Sequence, residues 1–216
     1  MKYRLLVFDW DGTIMDSTAQ IALSIQLACK DLGLPVPSRE RASHVIGLGL
    51  HDALSQAVPA ITPEQVPAMV ERYRHHYLAH DKQLILFDGI EPMLERLRER
   101  GHVLAVATGK SRVGLDRAFE TGGIRHLFDA SRCADETRSK PDPLMLFELF
   151  EELGVPAAEA LMIGDTTHDL QMAVNAGTAA LAVSYGAHDL AELGRVRSLG
   201  IVDSVAELDA WFAVHA

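Results

Sequence analysis

Leu5, Leu6, Val7 and Phe8 form a four-residue apolar run that stops abruptly at Asp9, the pattern of a short strand buried on both faces. Beyond it the spacing lengthens. Ile21, Ile25, Ala28 and Leu32 recur at helical intervals, and Gly33 supplies a stop. A polar stretch over residues 35–41 leads into a second helix with Ser38 as its N-cap. The segment IGLGL, residues 46–50, breaks the periodicity, and residues 51–58 resume it. Thr62-Pro63-Glu64-Gln65 reads as a helix start, with proline at the first helical position and glutamine completing a capping box. That helix is predicted to run to about His80, and no strand candidate falls between residues 16 and 80.

From Leu84 onward strand and helix patterns alternate. Helices are predicted over 91–100 (ended by Gly101), 112–121 (ended by Gly122-Gly123), 167–176 (ended by Gly177) and 204–212. A further helix is capped by Asp142, begins at Pro143 and ends at Gly154, with Leu146, Phe147, Phe150 and Leu153 forming its apolar face. Strands are predicted over 103–107, 161–164 and 179–184, with a short one near Ile201. Such alternation implies a parallel sheet covered on both faces. The expected fold is therefore an α/β, doubly wound, Rossmann-like core from residues 1–15 and 83–216. Residues 16–82 form an inserted all-helical domain.

Composition narrows the function classes. The chain has 216 residues, is 48% hydrophobic and carries a formal charge of −10, so it has material for a well-filled core but disfavours nucleic acid and anionic membranes as partners. A small phosphate bound through a metal and one lysine is compatible with that charge. Cys29 and Cys133 lie far apart with no CxxC spacing, as expected of reduced, buried thiols. The N-terminal apolar run is too short for a signal peptide and no span reaches transmembrane length. A cytoplasmic location is expected. No long apolar stripe marks an interface, which leaves monomer and homodimer both open.

Candidate chemistry gathers where the apolar runs end. Asp9 and Asp11, two residues apart at the carboxyl end of a strand, share one side of the chain, the place where open α/β sheets hold ligands. A turn explains Asp11-Gly12 but leaves Asp9 and Thr13 unaccounted for. Val103–Ala107 leads to Thr108-Gly109, and Leu161–Gly164 leads to Asp165 and Asp169.

Together these segments resemble the haloacid dehalogenase superfamily. DWDGT, residues 9–13, is similar to its first motif, D-x-D-G-T; VLAVATG, ending in Thr108-Gly109, resembles the second; Lys140-Pro141 the third; and LMIGDTTHD, residues 161–169, the fourth in its G-D-x-x-x-D form. The resemblance covers essentially the whole chain and points to phosphoglycolate-phosphatase-like members with a helical cap after the first motif. It implies that Asp9 is a nucleophile forming an aspartyl-phosphate and Asp11 a general acid and base. For that role Asp11 is expected to be kept protonated by neighbouring carboxylates. It further implies that Thr108, Gly109 and Lys140 hold phosphate. Mg²⁺ would be bound by Asp9 and Asp165 through side chains, by Asp11 through its carbonyl, and by Asp169 through water or as an anchor behind the ligands. Electrostatics points the same way: one lysine cannot neutralise three carboxylates and a phosphate dianion, and hard oxygen ligands suit Mg²⁺.

Several of these residues have plainer alternatives. The plainer alternative for Thr108 is a helix N-cap, for Lys110 a solvated side chain, and for Asp165 and Asp169 caps on the helix near Thr167. In the cap, Gly47 and Gly49 are candidates for close approach to substrate or for a simple helix-breaking turn. His44, His51, His75, His76 and His80 lack a convincing metal spacing; His76 and His80, one turn apart, fit a solvated face better. Trp10 is expected to point away from the acids and pack. The function implied is Mg²⁺-dependent hydrolysis of a small phosphorylated metabolite, either phosphoglycolate-like or a sugar phosphate. A phosphosugar mutase, a pyrophosphatase and a non-catalytic regulatory protein are the alternatives. Thr13 leans toward hydrolysis, because related mutases often carry valine there. Asp11 argues against a dehalogenase, and phosphonate cleavage lacks a cap lysine other than Lys30 or Lys82.

Overall fold

The computed structural model describes residues 2–216, apart from the side chain of Lys82, so that candidate lies outside the described residues. Six strands, β1 (Leu5–Phe8), β2 (Val103–Thr108), β3 (Ala130–Cys133), β4 (Ala160–Gly164), β5 (Ala179–Val183) and β6 (Ile201–Val202), form one sheet. Its order is β3-β2-β1-β4-β5-β6, and every pairing is parallel. The chain adds β2 and β3 on one side of β1 and then crosses to β4 on the other. That reversal opens a crevice beyond the carboxyl end of β1.

Period-two alternation divides the strands between two apolar layers. Leu6, Phe8, Leu104, Val106, Ile163 and Leu181 face α5 (Ile90–Glu99), α6 (Arg112–Gly122) and α10 (Val205–His215). Leu5, Val7, Ala105, Ala107, Met162 and Ala182 face α7 (Leu144–Leu153) and α8 (Thr167–Ala176). The many alanines on this second face let α7 and α8 lie close to the sheet. A short α9 (Leu190–Leu193) follows β5.

Between β1 and α5 the chain makes four helices: α1 (Thr18–Asp31), α2 (Arg39–His44), α3 (Leu50–Ala57) and α4 (Val66–Leu78). They enclose a third apolar cluster that includes Ile21, Ile25, Ala28, Val45, Leu54 and Met69. The chain passages into and out of this layer run side by side: Asp16 N–H donates to Ile85 O at 3.0 Å, and Phe87 N–H to Ile14 O at 3.0 Å.

Three sequence expectations require correction. The helix predicted from Thr62 starts at Val66, after a turn in which Thr62 N–H donates to the Gln65 side chain at 3.0 Å. Pro67 is the reason. A helix begun at Pro63 would need the missing Pro67 N–H and would drive its ring into the preceding turn, whereas a start at Val66 leaves Pro67 in the first turn, where no donor is required. On α7 the buried face is Met145, Leu146 and Leu149, and Phe147 is exposed. That helix starts at Leu144, and Asp142 still accepts from Leu144 N–H at 3.0 Å. Finally, β3 was not predicted. Its sequence ASRC has no apolar run, because it is an edge strand whose Arg132 reaches Glu148 at 2.6 Å and Glu152 at 2.7 Å on α7.

Candidate active site

The site is built from strand ends. Asp9 follows β1, and its N–H still donates to Ile163 O of β4 at 2.9 Å. Its carboxylate is completely buried. Asp9 Oδ1 accepts from Lys140 Nζ at 2.7 Å, and the same ammonium donates to Asp169 Oδ1 at 2.6 Å. Asp9 Oδ2 has no hydrogen-bond partner among the described residues. Asp165, beyond the end of β4, accepts from Thr13 Oγ1 at 2.8 Å and from Ala187 N–H at 2.7 Å. Acid oxygens of Asp9, Asp165 and Asp169 lie within 4.8 Å of one another.

Crowding of carboxylates in a dry pocket disfavours their charge. Burial, reinforced by Asp169, pushes the Asp165 carboxyl up to about 7. Burial also raises Asp9 well above the ordinary range, although Lys140 pulls the other way. Burial works against the Lys140 ammonium, yet Asp169 and Asp9 outweigh it and hold the proton on. Gly12, at φ 82°, brings the main chain directly against Asp165: a Cβ there would overlap the carboxylate. Glycine is what that approach and that φ both require.

Asp169 both helps to cap α8 and pairs with Lys140. Thr166 caps α8, and Asp169 closes a capping box by accepting from Thr166 N–H at 3.1 Å and Thr166 Oγ1 at 2.7 Å. Its other oxygen carries Lys140, so Asp169 fixes the lysine that faces Asp9. Asp165 does not cap the helix.

Asp11 has different neighbours from those expected. Its Oδ1 accepts from Ser17 Oγ at 2.5 Å and lies 2.9 Å from Lys110 Nζ. Lys110 also donates to the Tyr77 hydroxyl at 2.9 Å and sits 4.9 Å from the centre of that ring. The carboxylate crowding expected around Asp11 falls instead on Asp9 and Asp165, and Lys110 is not the solvated side chain that its sequence context allowed. Burial works against the Lys110 ammonium, but Asp11 together with Tyr77 and Tyr73 outweighs it and holds the proton on. Thr108 is fully buried and accepts from Lys110 N–H at 3.2 Å. It caps nothing, because Ser111 is the N-cap of α6.

The helical layer meets the sheet through the IGLGL turn. A Cβ on Gly109 would overlap the main-chain carbonyls of Gly47 and Leu48, so the turn lies directly on the residue after Thr108. Gly49 N–H donates to Ser139 Oγ at 2.8 Å, next to Lys140. Gly47 faces Thr166, whose Oγ1 would stand 3.2 Å from a Cβ there. Three histidines complete the junction. The His44 carbonyl lies 2.9 Å from His168 Nε2 and 3.0 Å from His188 Nε2. Since His188 Nδ1 accepts from Thr167 N–H at 3.1 Å, its Nε2 carries the proton toward His44. No sequence pattern pairs His44 with His168 and His188, each more than a hundred positions away from it. His76 meets Asp31 at 2.7 Å, not His80. Trp10 packs edge-on against Phe119 and Phe128, away from the acids, at centroid distances of 5.0 and 6.3 Å.

Among the described residues no helix is long and apolar enough to cross a membrane. The model of the haloacid dehalogenase-like hydrolase family matches residues 6–183. The chain is 36% identical to the "Probable phosphatase IndB" of Dickeya dadantii over 98% of its own length and 94% of that protein. It is 32% identical to the phosphoglycolate phosphatase of Aliivibrio fischeri over 85% of each. A crystal structure from Haemophilus somnus 129pt, described as a predicted phosphoglycolate phosphatase, superposes with a TM-score of 0.85 at 27% identity over 96% of this chain and 97% of that one. In fold alone, a hydrolase from Pseudomonas syringae matches with a TM-score of 0.90 at 24% identity over 98% of each chain. The chain belongs to the haloacid dehalogenase-like hydrolase family and, within it, is similar to the phosphoglycolate phosphatases.

Proposed function

We propose that the protein is a Mg²⁺-dependent phosphatase of small phosphorylated metabolites, with Asp9 as nucleophile. The observation that carries this reading is Asp9 itself: one oxygen is fixed by a buried lysine, and the other, buried just beyond β1, has no hydrogen-bond partner among the described residues. Asp9 Oδ2 attacks phosphorus in line, an aspartyl-phosphate forms, and the P–O bond to the alcohol breaks. Asp11 gives the departing oxygen its proton. It then takes a proton from the water that cleaves the acyl phosphate, which restores Asp9 and releases inorganic phosphate. Ser17 and Lys110 hold the Asp11 carboxyl in one orientation. Thr108, Gly109 and Lys140 surround the phosphoryl oxygens, and residues 16–82 act as a cap that excludes water.

The carboxylates fit a hard divalent ion, because Asp9 Oδ2 lacks a partner and Asp165 is forced toward neutrality without one. Asp9, Asp165 and the Asp11 carbonyl would hold the Mg²⁺, with Asp169 anchoring Lys140. Bound there, the ion neutralises charge on the transferring group. The buried, unpaired Cys29 and Cys133 suit a cytoplasmic enzyme.

Purified protein with Mg²⁺ is expected to release phosphate from para-nitrophenyl phosphate and to stop when EDTA is added. Activity that persists in EDTA overturns the reading. Steady phosphate release, without isomerised product from hexose phosphates, separates hydrolysis from a mutase. Mg²⁺ at about 100 times its Kd is expected to stabilise by about 2.7 kcal/mol, roughly 5–10 °C in Tm for a chain of this size. In Asp165→Asn that shift vanishes. The raised Asp165 pKa favours the folded state below the unfolded carboxyl's value and is lost as pH climbs through about 7. Metal-free protein should therefore lose stability between about pH 4 and 7, and Asp165→Asn should flatten that slope.

Closure is tested at Gly109. In Gly109→Ala the new methyl group meets the Gly47 and Leu48 carbonyls and holds the cap loop off the core. The expectation is a fall in kcat/KM of about 10²-fold, the scale on which small misplacements act, with a normal thermal transition.

A further inference from the structure

A cavity of about 430 Å³ lies between the helical layer of residues 16–82 and the loops beyond the carboxyl ends of the strands. At the phosphate end it is lined by Asp11, Gly109, Lys110 and Ser139, whereas Asp9, Thr108, Lys140 and Asp165 are not part of its wall. The volume therefore belongs to the alcohol half of a substrate, beyond the phosphate. Its lining also takes in Val70, Tyr73, Arg74 and Tyr77 of α4, Ile21 and Ile25 of α1, which packs against α4, and Leu48 and Arg117. Tyr73 and Tyr77 stack with centroids 5.8 Å apart and planes inclined by 20°, and Lys110 Nζ lies over the Tyr77 ring at 4.9 Å. At no more than about 30 Å³ per water-sized group, the five non-hydrogen atoms of a two-carbon hydroxy acid fill roughly a third of this space. The apolar wall would then stay unused, and binding energy from the non-reacting part of the substrate would be forgone.

We propose that the enzyme's preferred substrates are phosphomonoesters of ring-bearing alcohols, selected by the α4 wall of Val70, Tyr73 and Tyr77. This rests on the phosphatase reading above and names its substrate class. The ring lies against the aromatic and aliphatic wall, and the ester oxygen points back to Asp11. Tyr77 is held in place by its hydroxyl, which accepts from Lys110, so the wall is tied to the catalytic end of the cavity. Tyr73 and Val70 are half-buried and free of any role in the chemistry. They are specificity residues.

The test compares kcat/KM for two sets of probes: phenyl phosphate, a pyranose 6-phosphate and a nucleoside 5′-monophosphate against 2-phosphoglycolate and glycerol 3-phosphate. At least one ring-bearing ester is expected to exceed both acyclic ones by tenfold or more, since single groups in apolar pockets discriminate by about 10–200-fold. Val70→Trp, which fills the cavity from its wall, should lower kcat/KM for the ring-bearing esters by at least about tenfold more than for the acyclic ones and so erase that preference. Tyr73→Ala should also narrow the preference, and it stands in if the tryptophan variant does not fold. If an acyclic ester wins, or if both sets respond equally to these substitutions, the proposal is overturned while the phosphatase reading stands. Release from none of the five probes overturns the phosphatase reading, and this proposal with it.

Discussion

Asp9→Asn is expected to lower kcat by at least about 10⁴-fold, the scale on which removal of a catalytic nucleophile acts, while leaving the protein folded. The amide has the shape of the carboxylate but cannot form the acyl phosphate. The fold should tolerate it because Lys140 keeps Asp169 at 2.6 Å and because one of three crowded acids has lost its charge. Without Mg²⁺ the variant should therefore melt no lower than the wild type, which distinguishes a chemical defect from a folding one. Rapid-quench measurement of the first turnover, with calorimetry on the same samples, decides the matter. Turnover within tenfold of wild type would assign the nucleophile elsewhere.

Lys140→Met is expected to produce the largest loss of stability from any single change in the site. The Lys140 side chain has no exposed surface, and its ammonium lies between two carboxylates that have none either. Methionine replaces the stem but leaves Asp9 and Asp169 buried without their cation. Breaking a buried ion pair from one side costs about 3–5 kcal/mol, or roughly 10 °C in Tm for a chain of this length. The cost arises from stranded charge, not from lost packing, so adding Asp169→Asn to Lys140→Met should recover part of it. Urea denaturation of the two variants measures that recovery. A single-variant loss below about 1 kcal/mol would mean that water reaches the lysine. Activity should fall as well, because among the described residues no other ammonium pairs with Asp9.

The apolar runs that end in Asp9, Thr108 and Asp165 were legible because strands buried on both faces must be almost wholly apolar. An acid or hydroxyl at their ends then stands out. The Thr167–Ala176 helix was equally legible, since Gly177 after it is a local signal with a local cause, although its N-cap is Thr166 and not Asp165. β3 was hidden because an edge strand satisfies one side of its backbone and exposes the other, which admits Ser131 and Arg132. The α7 face was misread in part: the four positions chosen share a helical stripe, but Met145 and Leu149 lie nearer its buried centre and Phe147 falls at its margin. Thr62 was misread because a good start signal competes with Pro67 five residues later, and the proline's missing donor wins.

The partners of the site residues were a different matter. Thr13 with Asp165, Lys110 with Asp11 and Tyr77, Gly109 beneath the Gly47 and Leu48 carbonyls, and His44 between His168 and His188 all join segments far apart in the chain. No periodicity encodes such pairs, because each depends on where two independently formed elements come to rest. By itself the sequence determined a parallel α/β sheet with a helical insertion and placed acids at its strand ends, since burial and hydrogen bonding act locally along each strand and helix. The tertiary structure alone decided that Asp11 faces an ammonium while Asp9 and Asp165 face each other, and how much room is left beyond them. Those outcomes follow from the distances between groups and the water excluded around them, which exist only once the helical layer has packed against the sheet.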